Sequence, residues 1–224
     1  AGLAPSRVRT VATSDGGFVG GWLGALPGRA VLWVPASWLT MPRPALVAAL
    51  ARRRATLALG LHGRGVLLAV GWNALGLALA LAAPGADART AAGLLTVVAW
   101  ATLWSFVGLL VLPTPSRRAV HVADRAAAAS QGAAGLREAI VTLDARQDDE
   151  PARPPGVETV FHPVPARTLR LAALDGAYTP STALAAHQAA RHALYLAWAL
   201  LSPLSRAVHC NVGRPALWVV WPGD

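Results

Sequence analysis

Six histidines are spread along the chain, at positions 62, 121, 162, 187, 192 and 209, together with one cysteine, Cys210. Two histidines on one helix share a metal when they stand three or four residues apart, because that spacing puts both rings on one face. No HxxxH or HxxE spacing occurs here. His187 and His192 are five apart, about 140° around a helix of 3.6 residues per turn. His209 and Cys210 lack the second pair that would complete a tetrahedral site. A zinc centre would therefore have to be assembled from residues far apart in the sequence. The densest charge is Arg52-Arg53-Arg54. A guanidinium stays protonated at physiological pH and has no lone pair to give, so these residues can pair with a carboxylate but cannot ligate a cation. GxGxxG, P-loop and CxxCH patterns are absent from the sequence, and no cofactor is expected.

The elements that must position these residues are unusually apolar. Of 224 residues 54% are hydrophobic and 14% charged, and the mean hydropathy is +0.44. A soluble domain carries roughly a quarter charged residues, so a freely soluble enzyme is disfavoured. A single cysteine excludes an internal disulfide framework. Gly65 to Ala83 and Ala91 to Leu112 are free of charge, and each approaches the ~20 apolar residues that cross a ~30 Å hydrocarbon core. With the Pro84 to Thr90 turn between them they read as a transmembrane helical hairpin. Arg43, Arg52, Arg53, Arg54 and Arg64 precede it, Arg117, Arg118 and Arg125 follow it, and the turn holds only Arg89 beside Asp87. Positive charge collects on the cytoplasmic side, which places both flanks there. The net charge of +9 is then explained by anionic lipid headgroups, and nucleic-acid binding is not expected.

Before the hairpin, Val8 to Thr13, Phe18 to Leu26 and Ala30 to Val34 read as a small antiparallel sheet, separated by turns at Asp15-Gly16-Gly17 and Pro27-Gly28. A helix over Ala45 to Leu59, capped by Thr40, runs toward the first span with Gly60, Gly63 and Gly65 as breaks. After the second span, ended by Pro113 and Pro115, helices are predicted at Arg118 to Gln131 and Gly135 to Asp144. Val157 to Phe161 is expected to be extended and Pro165 to Ala173 helical. A longer helix is expected from a Thr179 cap to Leu201, and a strand or interfacial segment at Ala216 to Trp221.

This order, with Ser116-Arg117-Arg118, Ala123-Asp124-Arg125, Leu143-Asp144, Asp148-Asp149-Glu150-Pro151 and Phe161-His162-Pro163-Val164-Pro165 followed by Arg170, resembles the membrane zinc metalloproteases of the HtpX and CAAX prenyl protease type, the gluzincins. The resemblance covers about Val8 to Leu171. It implies an HExxH helix after the sheet and a glutamate ligand on the helix after the hairpin. In this sequence Arg52 falls at the first histidine, Arg53 at the glutamate and Thr56 at the second histidine. Val120 falls at the third ligand, four residues before Asp124. His162, Pro163 and Arg170 retain the segment that the resemblance places near the cleft. With the ligands gone, Asp124 is expected to pair with one of Arg52, Arg53 and Arg54, since a charge in a former metal cleft must be compensated.

The expected fold is mainly α with a small antiparallel sheet and a two-helix transmembrane hairpin inserted in a gluzincin-like domain. Its parts are a sheet and former active-site helix (1–64), the hairpin (65–112), the second half of the protease-like domain (113–175) and a C-terminal helix with a Trp-rich tail (176–224). The expected function is a catalytically inactive, metalloprotease-like subunit of the inner membrane, structural or regulatory, with its main domain in the cytoplasm. Its partners would be the bilayer and another membrane protein, met through such residues as Trp100, Trp104 and Trp198. The alternatives are an active zinc endopeptidase with non-standard ligands, at a site shifted from the positions the resemblance implies to His62, His121 and His162, and an accessory scaffold of an energy-converting membrane complex.

Overall fold

The computed structural model describes residues 7–15, 17–24, 29–147 and 150–210. The Pro27-Gly28 turn and the Ala216 to Trp221 segment lie outside them. The chain divides into two compact units, Ala1–Gly65 with Pro113–Gln188 and Val66–Leu112 with Ala189–Asp224.

In the first unit three short strands, β1 (Val8–Val11), β2 (Gly21–Leu23) and β3 (Val31–Pro35), form one sheet. The sheet is mixed, in the order β1-β3-β2, with β1 parallel and β2 antiparallel to β3. This corrects the expected all-antiparallel sheet. β2 and β3 pair as a hairpin would, but the β1–β2 link is not a hairpin turn: it carries the chain across so that β3 slots between the first two strands. Gly20 sits at φ +71° just before β2, where a Cβ would lie 2.4 Å from the Trp33 carbonyl oxygen. Only glycine allows that approach.

The inner sheet face, with Trp22, Leu32 and Val34, buries against Trp38, Met41, Ala45 and Ala49. A 3-10 turn over Ala36–Thr40 leads to helix α1 (Arg43–Ala58), which opens on Pro42 and Pro44 and has no side-chain cap. The Thr40 hydroxyl instead donates to the Ser37 carbonyl, so the predicted Thr40 cap is not formed. Proline at the first turn supplies the helical φ without losing a needed N–H. Gly60, at φ +67°, ends α1. Gly63 and Gly65 do not act as breaks; they lie inside α2 (Leu61–Leu81).

Helices α4 (Pro113–Gln131) and α5 (Ala133–Arg146) are parted by Gly132 at φ +86°. They pack on α1 through small residues: Ala48 and Ala51 meet Ala127, Leu136 and Ile140. The apolar helix before Pro113 and Pro115 ends at Val111, as expected from those prolines, and the same prolines open α4. α6 (Pro155–Phe161) and α7 (Arg167–Leu174) complete the unit. Val157 to Phe161 is therefore helical, not extended. Its β-branched residues favour a strand, but Pro155 presets the first turn and burial of Glu158 (2% exposed) fixes the segment against its surroundings. Residues 179–188 are not helical, which corrects the predicted Thr179 start. The Ala186 and His187 amides bond the carbonyls of Pro115 and Leu61, outside any helix of their own, and Leu184 and Gln188 have φ of +51° and +56°.

The second unit consists of the rest of α2, α3 (Ala91–Val111) and α8 (Ala189–Cys210). α2 and α3 are long and apolar enough to cross a membrane. Thr90 caps α3 by accepting from the Gly93 amide. Trp72 and Trp104 stack at 4.5 Å between ring centroids, and the Trp104 indole donates to the Trp72 carbonyl at 2.9 Å. Gly76 lies under Trp104 and Gly108 under Trp72, so each indole fills a notch left by a missing side chain on the opposite helix. Asn73 donates to the carbonyls of Ala69 and Ala193, which ties α2 to α8.

Candidate functional site

Three helices meet at one carboxylate. Arg52 projects from α1, Asp124 from α4 and Arg170 from α7. Arg52 Nε donates to Asp124 Oδ1. Arg170 grips the same carboxylate with two bonds, Nε to Oδ2 at 2.8 Å and Nη2 to Oδ1 at 3.0 Å. The Asp124 side chain is 3% exposed, and those of Arg52 and Arg170 are 13% and 11% exposed. Burial by itself would push the Asp124 carboxyl up, but Arg170 and Arg52 together hold it down at about 2. Burial lowers Arg52 from its ordinary value, Asp124 raises it and Arg170 lowers it again. The expected pairing of Asp124 with the arginine triplet is thus present through Arg52. Arg170, singled out only by the resemblance, supplies the second arm.

The other residues of the triplet have different tasks. Arg53 is buried and turns toward the sheet, where its Nη2 donates to the Val19 carbonyl at 2.8 Å and its charge lies 5.9 Å from the Trp38 ring centroid. Its carbonyl accepts from the Trp22 indole and the Thr56 hydroxyl. Arg54 is exposed. Thr56 and Val120 are buried, and neither is turned to chemistry: the hydroxyl of the first is spent on its own helix, and the second is aliphatic.

A zinc ion does not fit these positions. Both oxygens of Asp124 are engaged by guanidinium groups, and two fixed cations beside the carboxylate would repel a third. The alternative ligands are not gathered either: among the described residues no group of three His, Cys, Asp or Glu side chains is placed to hold a metal. His62 Nε2 bonds the Gly24 carbonyl at 2.8 Å. His121 packs edge-on to Tyr178, 5.7 Å between centroids. Burial, only partly offset by Asp124, lowers His121 to about 4. His162 follows α6, and Pro163 beside it is half-buried.

Sequence reasoning missed how α6 is anchored. Arg117 donates from Nη1 to the carbonyls of Glu158, Thr159 and His162, and from Nη2 to Thr114 Oγ1. The Glu158 carboxylate accepts the Ala166 amide at 3.2 Å. The usable signal was the spacing of Thr114, Arg117, Arg118 and His121, which on a helix forms one polar face. In the second unit Trp100 and Trp198 are exposed, 48% and 59%, whereas Trp104 is spent on the stack with Trp72. Compared with known proteins, the chain matches no family model, no curated protein and no solved structure.

Proposed function

We propose that the chain is a catalytically inactive, metalloprotease-like membrane protein that serves as a structural or regulatory interaction subunit. The observation that carries this reading is the Arg52–Asp124–Arg170 triad. A zinc peptidase needs nitrogen or carboxylate ligands and a base beside the metal's water. Here the residues aligned with those roles by the HtpX-like resemblance are two arginines, a threonine and a valine, and the nearest carboxylate is neutralised by two guanidiniums. The arrangement can brace three helices against one another; it offers no nucleophile and no base.

The membrane part of the proposal is supported by the outer surface of the second unit. Leu67, Val70, Leu75 and Leu79 on α2, and Leu95, Leu103, Phe106 and Leu110 on α3, are all at least half exposed. An apolar surface of this extent is stable in contact with lipid or another apolar face, not with water. Exposed Arg43, Arg54 and Arg64 before the hairpin and Arg125 after it favour the inner membrane with the first unit in the cytoplasm. Arg53, which is buried, and Arg52, which is paired with Asp124, drop out of that count. Exposed Trp100 and Trp198 are the residues we assign to contact with lipid or a membrane partner.

Zinc per chain in the detergent-purified protein, measured by elemental analysis beside a peptidase assay, tests the reading. Near-zero metal and no chelator-sensitive cleavage are expected. About one zinc per chain, lost when His62, His121 or His162 is replaced, would overturn it.

A further inference from the structure

The first unit contains a cavity of about 500 Å³, within the range of sites that enclose small molecules. Its lining joins the polar face of α4 (Arg117, Arg118, His121) to Arg153, to Glu158 of α6 and to Tyr178. Arg117 and Arg118 face one carboxylate. Their guanidiniums donate to backbone carbonyls, which hold them in place without cancelling their charge. His121, buried and held below its ordinary value, is neutral near pH 7 and leaves that excess unchanged. The lining therefore has a net positive charge and fixed donors, the arrangement that binds a phosphate or carboxylate.

A second observation narrows the ligand. Glu158 and His121 are 2% and 6% exposed, yet Oε2 of the glutamate and Nδ1 of the histidine have no hydrogen-bond partner. A buried carboxylate oxygen left without a donor is costly, and a ligand that donates to it removes the cost. A bare anion cannot do so. We infer that this cavity binds a phosphate ester that also bears a hydroxyl or amino group, the phosphate meeting the arginines and the donor group meeting Glu158. Leu169, Pro155 and Pro180 supply apolar wall for the carbon part of such a molecule. Two sources present this chemistry: a soluble glycerol phosphate, and a phospholipid headgroup. The second rests on the membrane reading above. It is compatible with Arg117 and Arg118 following the end of the apolar helix α3, at Val111, by only six and seven residues.

The test is calorimetric titration of the purified full chain with glycerol 3-phosphate and with inorganic phosphate, together with native mass spectrometry in phosphatidylglycerol nanodiscs. Saturable binding is expected, tighter for glycerol 3-phosphate than for inorganic phosphate. Arg118→Gln should weaken it by about tenfold or more, the worth of one charge-assisted contact, while the same change at exposed Arg43 should leave it nearly unaltered. Glu158→Gln should tighten inorganic phosphate and erase the advantage of the glycerol ester, a reversal that loss of folding cannot produce. Binding of the free ester without retained phospholipid identifies a soluble ligand; retained phosphatidylglycerol that Arg118→Gln releases identifies a lipid. No saturable binding of either probe to the wild-type chain, or equal weakening by Arg118→Gln and Arg43→Gln, would overturn the assignment. Zinc content bears only on the protease reading, so the two proposals fail separately.

Discussion

The two units are held together by opposite means. In the first, helices are joined by charge: Asp124 is shared by Arg52 and Arg170, Arg117 ties α4 to α6, and Asp144 faces Arg167 at 3.5 Å. In the second, the contacts described are small residues, indole rings and one amide. The difference follows from how apolar the elements of each unit are. In the first unit ionised side chains can fold in because the rest of the domain supplies partners, and the pairs then choose a unique arrangement of otherwise similar alanine-lined helices. Along helices as apolar as α2 and α3 an ionised group would find few polar partners and would be expensive. Close packing of Trp against Gly and bonds from Trp104 and Asn73 to backbone carbonyls do the same work there.

Asp124→Ala attacks the first means and should have the largest effect. Removing the shared carboxylate strands two largely buried guanidiniums, and a loss of about 3 to 5 kcal/mol is expected in denaturant unfolding of the first unit. Replacing all three residues with apolar ones of similar volume (Arg52→Met, Asp124→Leu, Arg170→Met) should restore most of it. If Asp124→Ala proves neutral, the triad does not brace the unit and the contrast between the units collapses.

Acid should separate the units next. The folded value of Asp124, about 2, lies below its ordinary 3.8, so its contribution is complete above about pH 4 and is lost as pH falls toward 2. His121 at about 4 lies below 6.5: the fold favours the neutral ring, and stability is complete above 6.5 and declines as pH falls toward 4. Each shift corresponds to a loss on the order of 2 to 4 kcal/mol. Unfolding followed from pH 7.5 to 4 should show the His121 component, and His121→Gln should flatten it. An unchanged profile in that variant would assign the acid response elsewhere.

Gly76→Ala probes the second unit. A Cβ there would stand 2.1 Å from the Trp104 ring, and the indole cannot move without leaving Trp72. A loss of about 1 to 3 kcal/mol is expected, read as a lower melting temperature in detergent. A variant as stable as wild type would show that the hairpin does not depend on the Trp–Gly fit. The smallest effect belongs to Arg137→Ala, which breaks the solvent-exposed pair with Asp175. A change within about 0.5 kcal/mol is expected; a larger one would mean that burial is not what gives the first unit's charges their weight.

Much of this was legible in the amino-acid order. Both apolar helices were expected within a few residues of where they lie, because an uninterrupted apolar run of that length has few other stable outcomes. α1, α4 and α5 were legible from helix formers bounded by Pro and Gly. The pairing of Asp124 with one arginine of the 52–54 triplet was legible as soon as a carboxylate and guanidiniums were assigned to one cleft; that it is Arg52 was not. The parallel pairing of β1 with β3, helical Val157 to Phe161, the late start of α8 at Ala189 and the cavity around Arg117 were not.

What the sequence determined by itself is local or compositional: which segments are too apolar for water, where proline and glycine interrupt them, and which side chains can never ligate a metal. Those properties belong to single residues and short runs, so they survive whatever the chain does elsewhere. The tertiary structure alone decided that Arg170 would join Arg52 on one carboxylate, that Glu158 would be buried with an oxygen left to satisfy, and that Trp104 would turn inward onto Trp72. Each of these depends on residues tens of positions apart reaching the same few ångströms, and no local preference encodes that distance.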